Sequence, residues 1–73
     1  MHTQPRYQAT VFPGLGVTLD AVTDRGEVVT VAGVGTARHW TVNRCREYAS
    51  ESGFTRESVR TTDGLRVFDF TRP

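Results

Sequence analysis

The chain has 73 residues, of which 37% are hydrophobic and 10% aromatic, and its formal net charge at pH 7 is +1. This composition is too apolar for a disordered tail and too polar for a membrane protein. A chain of this length supports one hydrophobic core, and the small net charge excludes a strong unspecific attraction to nucleic acid or anionic lipid.

The chain is predicted to work in the cytoplasm, without contact to a membrane. No apolar run approaches the roughly 18 residues that cross a bilayer, and the polar start lacks the apolar stretch of a secretory signal. The single cysteine, Cys45, cannot form an internal disulfide, which favours a reducing compartment. All nine basic side chains are arginine, which is typical of a GC-rich genome.

The first half of the chain predicts three antiparallel strands after a flexible arm over residues 1–6. Residues 7–12 alternate apolar and polar side chains and stop at Pro13-Gly14, a pair that suits a type II turn. Residues 17–21 alternate again and end at a second turn signal. Residues 27–32 then have the strongest β-propensity in the chain.

A helix is predicted over about residues 41–52. Apolar residues no longer recur at every second position there but at the spacing that places them on one face of a helix. Thr41 is a suitable N-cap, and Gly53 supplies the left-handed residue that commonly ends a helix.

The tail of the chain permits two interpretations. In the first, residues 57–62 and 65–70 are strands joined at Asp63-Gly64, a favoured type I′ turn pair. In the second, a short helix occupies residues 55–62 and only the last run is a strand. Thr61-Thr62 is poor helix sequence and favours the first interpretation.

These elements predict one α+β domain over residues 7–73, with an antiparallel sheet of four to five strands and one helix packed on one face. Exposed edges of so small a sheet favour pairing with a second copy as a homodimer. The predicted core is Tyr7, Ala9, Val11, Val17, Leu19, Val29, Val31, Val42, Cys45, Ala49, Val59, Phe68 and Phe70.

No residue pattern predicts catalysis, a cofactor or a metal site. The segment Gly33-Val34-Gly35 resembles the start of a phosphate-binding loop, but Arg38 stands at the third glycine and the neighbouring strands are not parallel. A weaker alternative is that Arg38 and the backbone after Gly35 bind one phosphate or carboxylate. Cys45 lies on the apolar helix face, which favours packing over nucleophilic reactivity.

Arginines and the only tryptophan gather around the predicted helix start, and further arginines follow in the tail. This mixture suits phosphate contact and base stacking, although a solvated helix face explains it as well. The predicted nucleic-acid-binding residues are Arg38, His39, Trp40, Arg44, Arg46, Arg56, Arg60 and Arg66.

A helix-turn-helix is an alternative interpretation of the tail. Ala49, Gly53 and Val59 have a spacing that resembles this motif, with a second helix over residues 55–62 lying in the major groove. Its groove-facing side chains would be Thr55, Arg56, Ser58 and Arg60.

The order of strands, helix and strand also resembles the partial RNase H-like fold of HicB-type antitoxins. Residues 7–13 are similar to their first strand, and residues 34–38 with the following helix are similar to their third element. This resemblance implies an antitoxin-like adaptor that acts on a partner protein.

Two functions therefore follow from the sequence as hypotheses. The first is a non-catalytic DNA-binding accessory or regulatory protein that uses the arginine cluster, of a size that phage and plasmid genes often encode. The second is a protein-binding inhibitor or antitoxin-like adaptor that presents a sheet edge or face to its partner.

Overall fold

One antiparallel sheet and one helix make up the computed structural model, which describes residues 4–33 and 40–73. The elements are β1 (Arg6–Phe12), β2 (Gly16–Val22), β3 (Val28–Ala32), α1 (Val42–Glu51), β4 (Arg56–Thr62) and β5 (Leu65–Thr71). The strand order is β3-β2-β1-β5-β4, and every neighbouring pair is antiparallel. The predicted α+β class is confirmed, and β1 begins one residue inside the predicted arm.

The turns between strands follow the predicted chemistry. The first turn closes with the Leu15 N–H donating to the Phe12 carbonyl at 3.0 Å, and Gly14 has the positive φ that a type II turn needs at that position. Asp63 and Gly64 between β4 and β5 have φ values of 52° and 77°. Both are positive, as a type I′ hairpin turn requires.

Helix α1 begins and ends at the predicted residues. The Thr41 hydroxyl accepts a hydrogen bond from the Arg44 N–H at 3.1 Å. At the other end Gly53 has φ 87°, and the Phe54 N–H donates to the Ala49 carbonyl at 2.9 Å, which brings the Phe54 side chain back onto the core. The helix leads the chain from β3, at one edge of the sheet, to β4, at the other.

Residues 56–62 form strand β4, so the alternative of a second helix over 55–62 is wrong. Pairing with β5 runs without interruption from Arg56 opposite Thr71 to Thr62 opposite Leu65. The type I′ turn fixes this register and outweighs any local helix preference. The helix that the helix-turn-helix interpretation needed is therefore not formed.

The core lies between α1 and one face of the sheet, which we call the helix face; the opposite face is called the open face. The buried core residues are Ala9, Val17, Leu19, Cys45, Ala49, Phe54 and Phe70. All except Phe54 were predicted. Tyr7, Val11, Val42 and Phe68 are partly buried against them.

Three predicted core residues are wrong, because they lie on the edge strands beyond the reach of α1. Val29 is 54%, Val31 37% and Val59 55% exposed. Val22 and Val67 are buried on the open face although the sequence did not predict them.

Candidate interaction surfaces

The six predicted nucleic-acid-binding residues that the structure describes do not form one patch. Arg38 and His39 lie outside the described residues. Trp40, Arg44 and Arg46 lie at or on α1, which covers the helix face. Arg56 and Arg60 lie on the open face of β4, since they alternate with Val59, which pairs with Phe68 of the helix face. Arg66 pairs with Val11 on the helix face and lines a pocket with Pro13.

Arg46 is bound to an acidic side chain. Its guanidinium donates to both carboxylate oxygens of Glu57, the second at 3.1 Å, and also to the Asn43 side chain. The hydrogen bonds between Arg46 and Glu57 raise the pKa of Arg46 and lower the pKa of Glu57. The pair ties α1 to β4 and balances the charge of Arg46 locally.

Arg60 is similarly occupied, on the open face. Its Nε donates to Asp69 Oδ2 at 2.7 Å and its Nη2 to Oδ1 at 3.3 Å. Further hydrogen bonds reach Thr62 at 2.8 Å and Gln8 at 3.2 Å, while Arg6 lies 3.5 Å from the same carboxylate. Asp69 is 9% exposed. This network joins β4, β5 and β1. It gives Arg60 a structural role that requires no bound ligand.

An aromatic cluster lies beside α1. Tyr48 contacts Trp40 and Tyr7 edge to face, with ring centroids 5.7 and 5.5 Å apart, and the Arg44 guanidinium lies 5.0 Å above the Trp40 ring. Glu47 and Glu51 line the same shallow pocket of about 140 Å³. The two carboxylates make this pocket a poor match for a phosphate.

The edge strand β3 carries three of the six large hydrophobic side chains that are exposed among the described residues. Val28 and Val29 are 59% and 54% exposed, and no residue from Val28 to Ala32 carries a charge. The sequence predicted Val29 and Val31 as core, so the edge position of this strand was missed. Its exposed valines are what a natural edge strand usually avoids.

The hydrogen-bonding direction along β3 follows from the preceding turn. The Thr23 N–H donates to the Glu27 carbonyl at 2.9 Å, so this opposite pair is of the hydrogen-bonded kind. Opposite pairs alternate in kind along an antiparallel ladder, so Val28 and Thr30 belong to the other kind. Their N–H and C=O groups point away from β2, where the described part of the chain offers them no partner.

The opposite edge, β4, is protected by charge. All seven of its residues are exposed, and they include Arg56, Glu57 and Arg60, of which the last two are engaged in ion pairs. Charged edge strands resist pairing with other chains, because pairing would desolvate the charges. Of the two edges, β3 is therefore the less protected against pairing with another chain.

Cys45 is fully buried, and burial raises the pKa of its thiol to about 11. A thiol with so high a pKa is protonated at neutral pH and is a poor nucleophile. Across residues 4–33 and 40–73, no group of three or more His, Cys, Asp or Glu side chains is placed to hold a metal ion.

The raised pKa of Cys45 predicts a pH-dependent stability. Because the folded pKa lies above the ordinary value of 9.0, the thiol contributes stability that is complete below pH 9 and is lost as the pH rises to about 11. The free energy of unfolding from urea titrations should fall by on the order of 2 kcal/mol more in the wild type than in Cys45→Ala over this range. Parallel curves for the two proteins would contradict the assignment.

Within the described residues no helix has the length and apolar character needed to cross a membrane. Comparison of the chain with protein-family models, with characterised proteins and with solved structures gave no match. The resemblance to HicB-type antitoxins rests partly on residues 34–38, which lie outside the described residues, and it stays a prediction.

Proposed function

We propose that this chain is a non-catalytic cytoplasmic binding protein whose binding element is the edge of β3, to which a partner protein adds a strand. The observation that carries the proposal is the uncharged, exposed β3 with the N–H and C=O groups of Val28 and Thr30 directed away from the sheet. This is the second of the two functions that the sequence suggested.

Strand addition uses both features of this edge. Backbone hydrogen bonds to an incoming strand supply affinity that is independent of sequence, and side chains on alternate faces supply specificity. Val28 lies on the open face and Val29 on the helix face, so a partner strand meets an apolar side chain on each side.

The ion pairs of the arginine side chains are the reason to rank this function above nucleic-acid binding. Arg46 and Arg60 are each held by a carboxylate, and they belong to different faces of the sheet. A duplex could not contact all the predicted residues at once, and phosphates would compete with Glu57 and Asp69 for the two guanidinium groups.

Site-specific photo-cross-linking tests the proposal. A photoreactive phenylalanine analogue is placed at Val29 or, as control, at Val59, which lies on the same face at the other edge and is equally exposed. In cells that encode the protein we expect an adduct of defined mass from position 29 and none from position 59. Adducts from both positions alike, or from 59 alone, would contradict the assignment of the edge.

DNA binding stays a second candidate because of one observation, the stacking of Arg44 on the partly exposed Trp40. Trp40 is the only tryptophan, so its fluorescence reports directly on this site. Binding of duplex or single-stranded DNA should then change the fluorescence, weaken steeply with salt, and be lost in Arg44→Ala but not in the control Arg25→Ala. No change at low salt would exclude this candidate.

A further inference from the structure

We propose that the partner at the β3 edge is a second copy of this chain, so that two sheets join across a two-fold axis into one. The inference rests on the proposed function, because it names the partner for the same edge. It is carried by the backbone groups, the side chains and the charges of β3.

The backbone of β3 is complementary to itself. When two copies pair antiparallel about an axis at Val29, Val28 of one copy lies opposite Thr30 of the other. These are the residues whose N–H and C=O groups point outward. Each such pair exchanges two hydrogen bonds, so the contact gains about four of them without disturbing the ladder to β2.

The side chains of β3 are also compatible with this register. The axis brings the two Val29 side chains against each other on the helix face, in the pair type where opposite side chains approach most closely. Pairs of β-branched side chains across strands are stabilising. Glu27 of one copy falls opposite Val31 of the other, so the pairing puts no like charges face to face.

The need for a partner is greatest at this edge. A domain of this size buries a smaller fraction of its surface than a larger domain does, and β3 leaves three valines exposed, among them Val28 and Val29. Pairing through β4 would instead require the charged Arg56, Glu57 and Arg60 to lose water. A symmetric dimer through β3 covers the apolar edge and leaves the charged edge in solvent.

Two variants interrupt the contact in different ways, and each has a matched control. Thr30→Pro deletes an outward N–H that β2 does not use, whereas Thr30→Ala keeps this N–H and removes only the 2.9 Å hydrogen bond from the Thr30 hydroxyl to Asp20. Val29→Glu sets two carboxylates against each other at the axis, whereas Val59→Glu adds the same charge at the other edge. Circular dichroism shows whether each variant folds. If Thr30→Pro does not fold, the comparison of Val29→Glu with Val59→Glu tests the contact by itself.

Sedimentation equilibrium from micromolar to submillimolar protein measures the dimer. We expect the wild type, Thr30→Ala and Val59→Glu to dimerise alike, and Val29→Glu and Thr30→Pro to raise the dissociation constant more than about 100-fold. A wild type that stays monomeric, or a dimer unaffected by Val29→Glu, would overturn the inference. If the monomeric chain still forms a cross-link from position 29 to another protein, the proposed function survives; if it forms none, both fail.

Discussion

Replacing Phe70 by alanine is expected to lower the free energy of unfolding by about 3–5 kcal/mol, enough to unfold much of the protein at room temperature. Phe70 is 1% exposed and is the largest fully buried side chain among the described residues. It lies in the central part of the sheet, opposite Tyr7 on one side and Glu57 on the other. A domain of this size has a total stability near the lower end of the usual 5–15 kcal/mol, so the loss is comparable to the whole.

Urea denaturation followed by circular dichroism measures this change, with Val59→Ala as the control. Val59 is also apolar and on the helix face, but it is 55% exposed. Val59→Ala should therefore lower the free energy of unfolding by less than about 1 kcal/mol. Equal losses for the two variants would contradict the placement of the core between α1 and the central strands.

The second large effect is expected for Asp69→Ala, which should lower the free energy of unfolding by about 2–3 kcal/mol. The change removes the carboxylate that accepts two hydrogen bonds from Arg60 and pairs with Arg6. Two guanidinium groups then share the open face without their counter-charge. The variant should therefore regain part of its stability at high salt, which screens their repulsion.

Asp20→Ala is the matched control for Asp69→Ala in the same denaturation experiment. Asp20 is an aspartate on the same face and accepts one exposed hydrogen bond, from the Thr30 hydroxyl at 2.9 Å. We expect it to cost less than about 1 kcal/mol. An Asp69→Ala protein as stable as Asp20→Ala would show that the network on the open face contributes nothing to stability.

The elements of this fold could be predicted because their signals are local. Alternation at residues 7–12 and 17–21, the Thr41 cap, Gly53 and the Asp63-Gly64 turn each depend on a few neighbouring residues. Their chemistry leaves little choice of conformation.

The position of each strand in the sheet could not be predicted in the same way. Residues 27–32 have the strongest β-propensity in the chain, and Val29 and Val31 were predicted as core. Strand β3 is nevertheless an edge, because the chain passes through α1 to the other side of the sheet, where β5 and β4 lie. Propensity reports that a segment suits a strand, and it does not report which neighbours cover that strand. The apolar edge is therefore visible only in the assembled sheet.

Arginines that lie close together in the sequence are separated in space in the part of the chain that the structure describes. Arg56 and Arg66 lie on opposite faces of the sheet because side chains alternate along strands and the β4–β5 register fixes both. The pairing of Arg46 with Glu57 joins residues that are 11 positions apart in different elements. No short-range pattern predicts such a contact, and the same applies to the bond between Arg60 and Gln8.

A dilution series of ¹⁵N–¹H NMR spectra of the wild-type chain tests most directly that two copies of the chain pair through β3. We expect the amide signals of Val28, Val29 and Thr30 to shift progressively with protein concentration, while those of Ser58 and Arg60 stay fixed. Signals in β3 that do not move, or shifts confined to β4 or to the residues around Trp40, would contradict the pairing of two copies through β3.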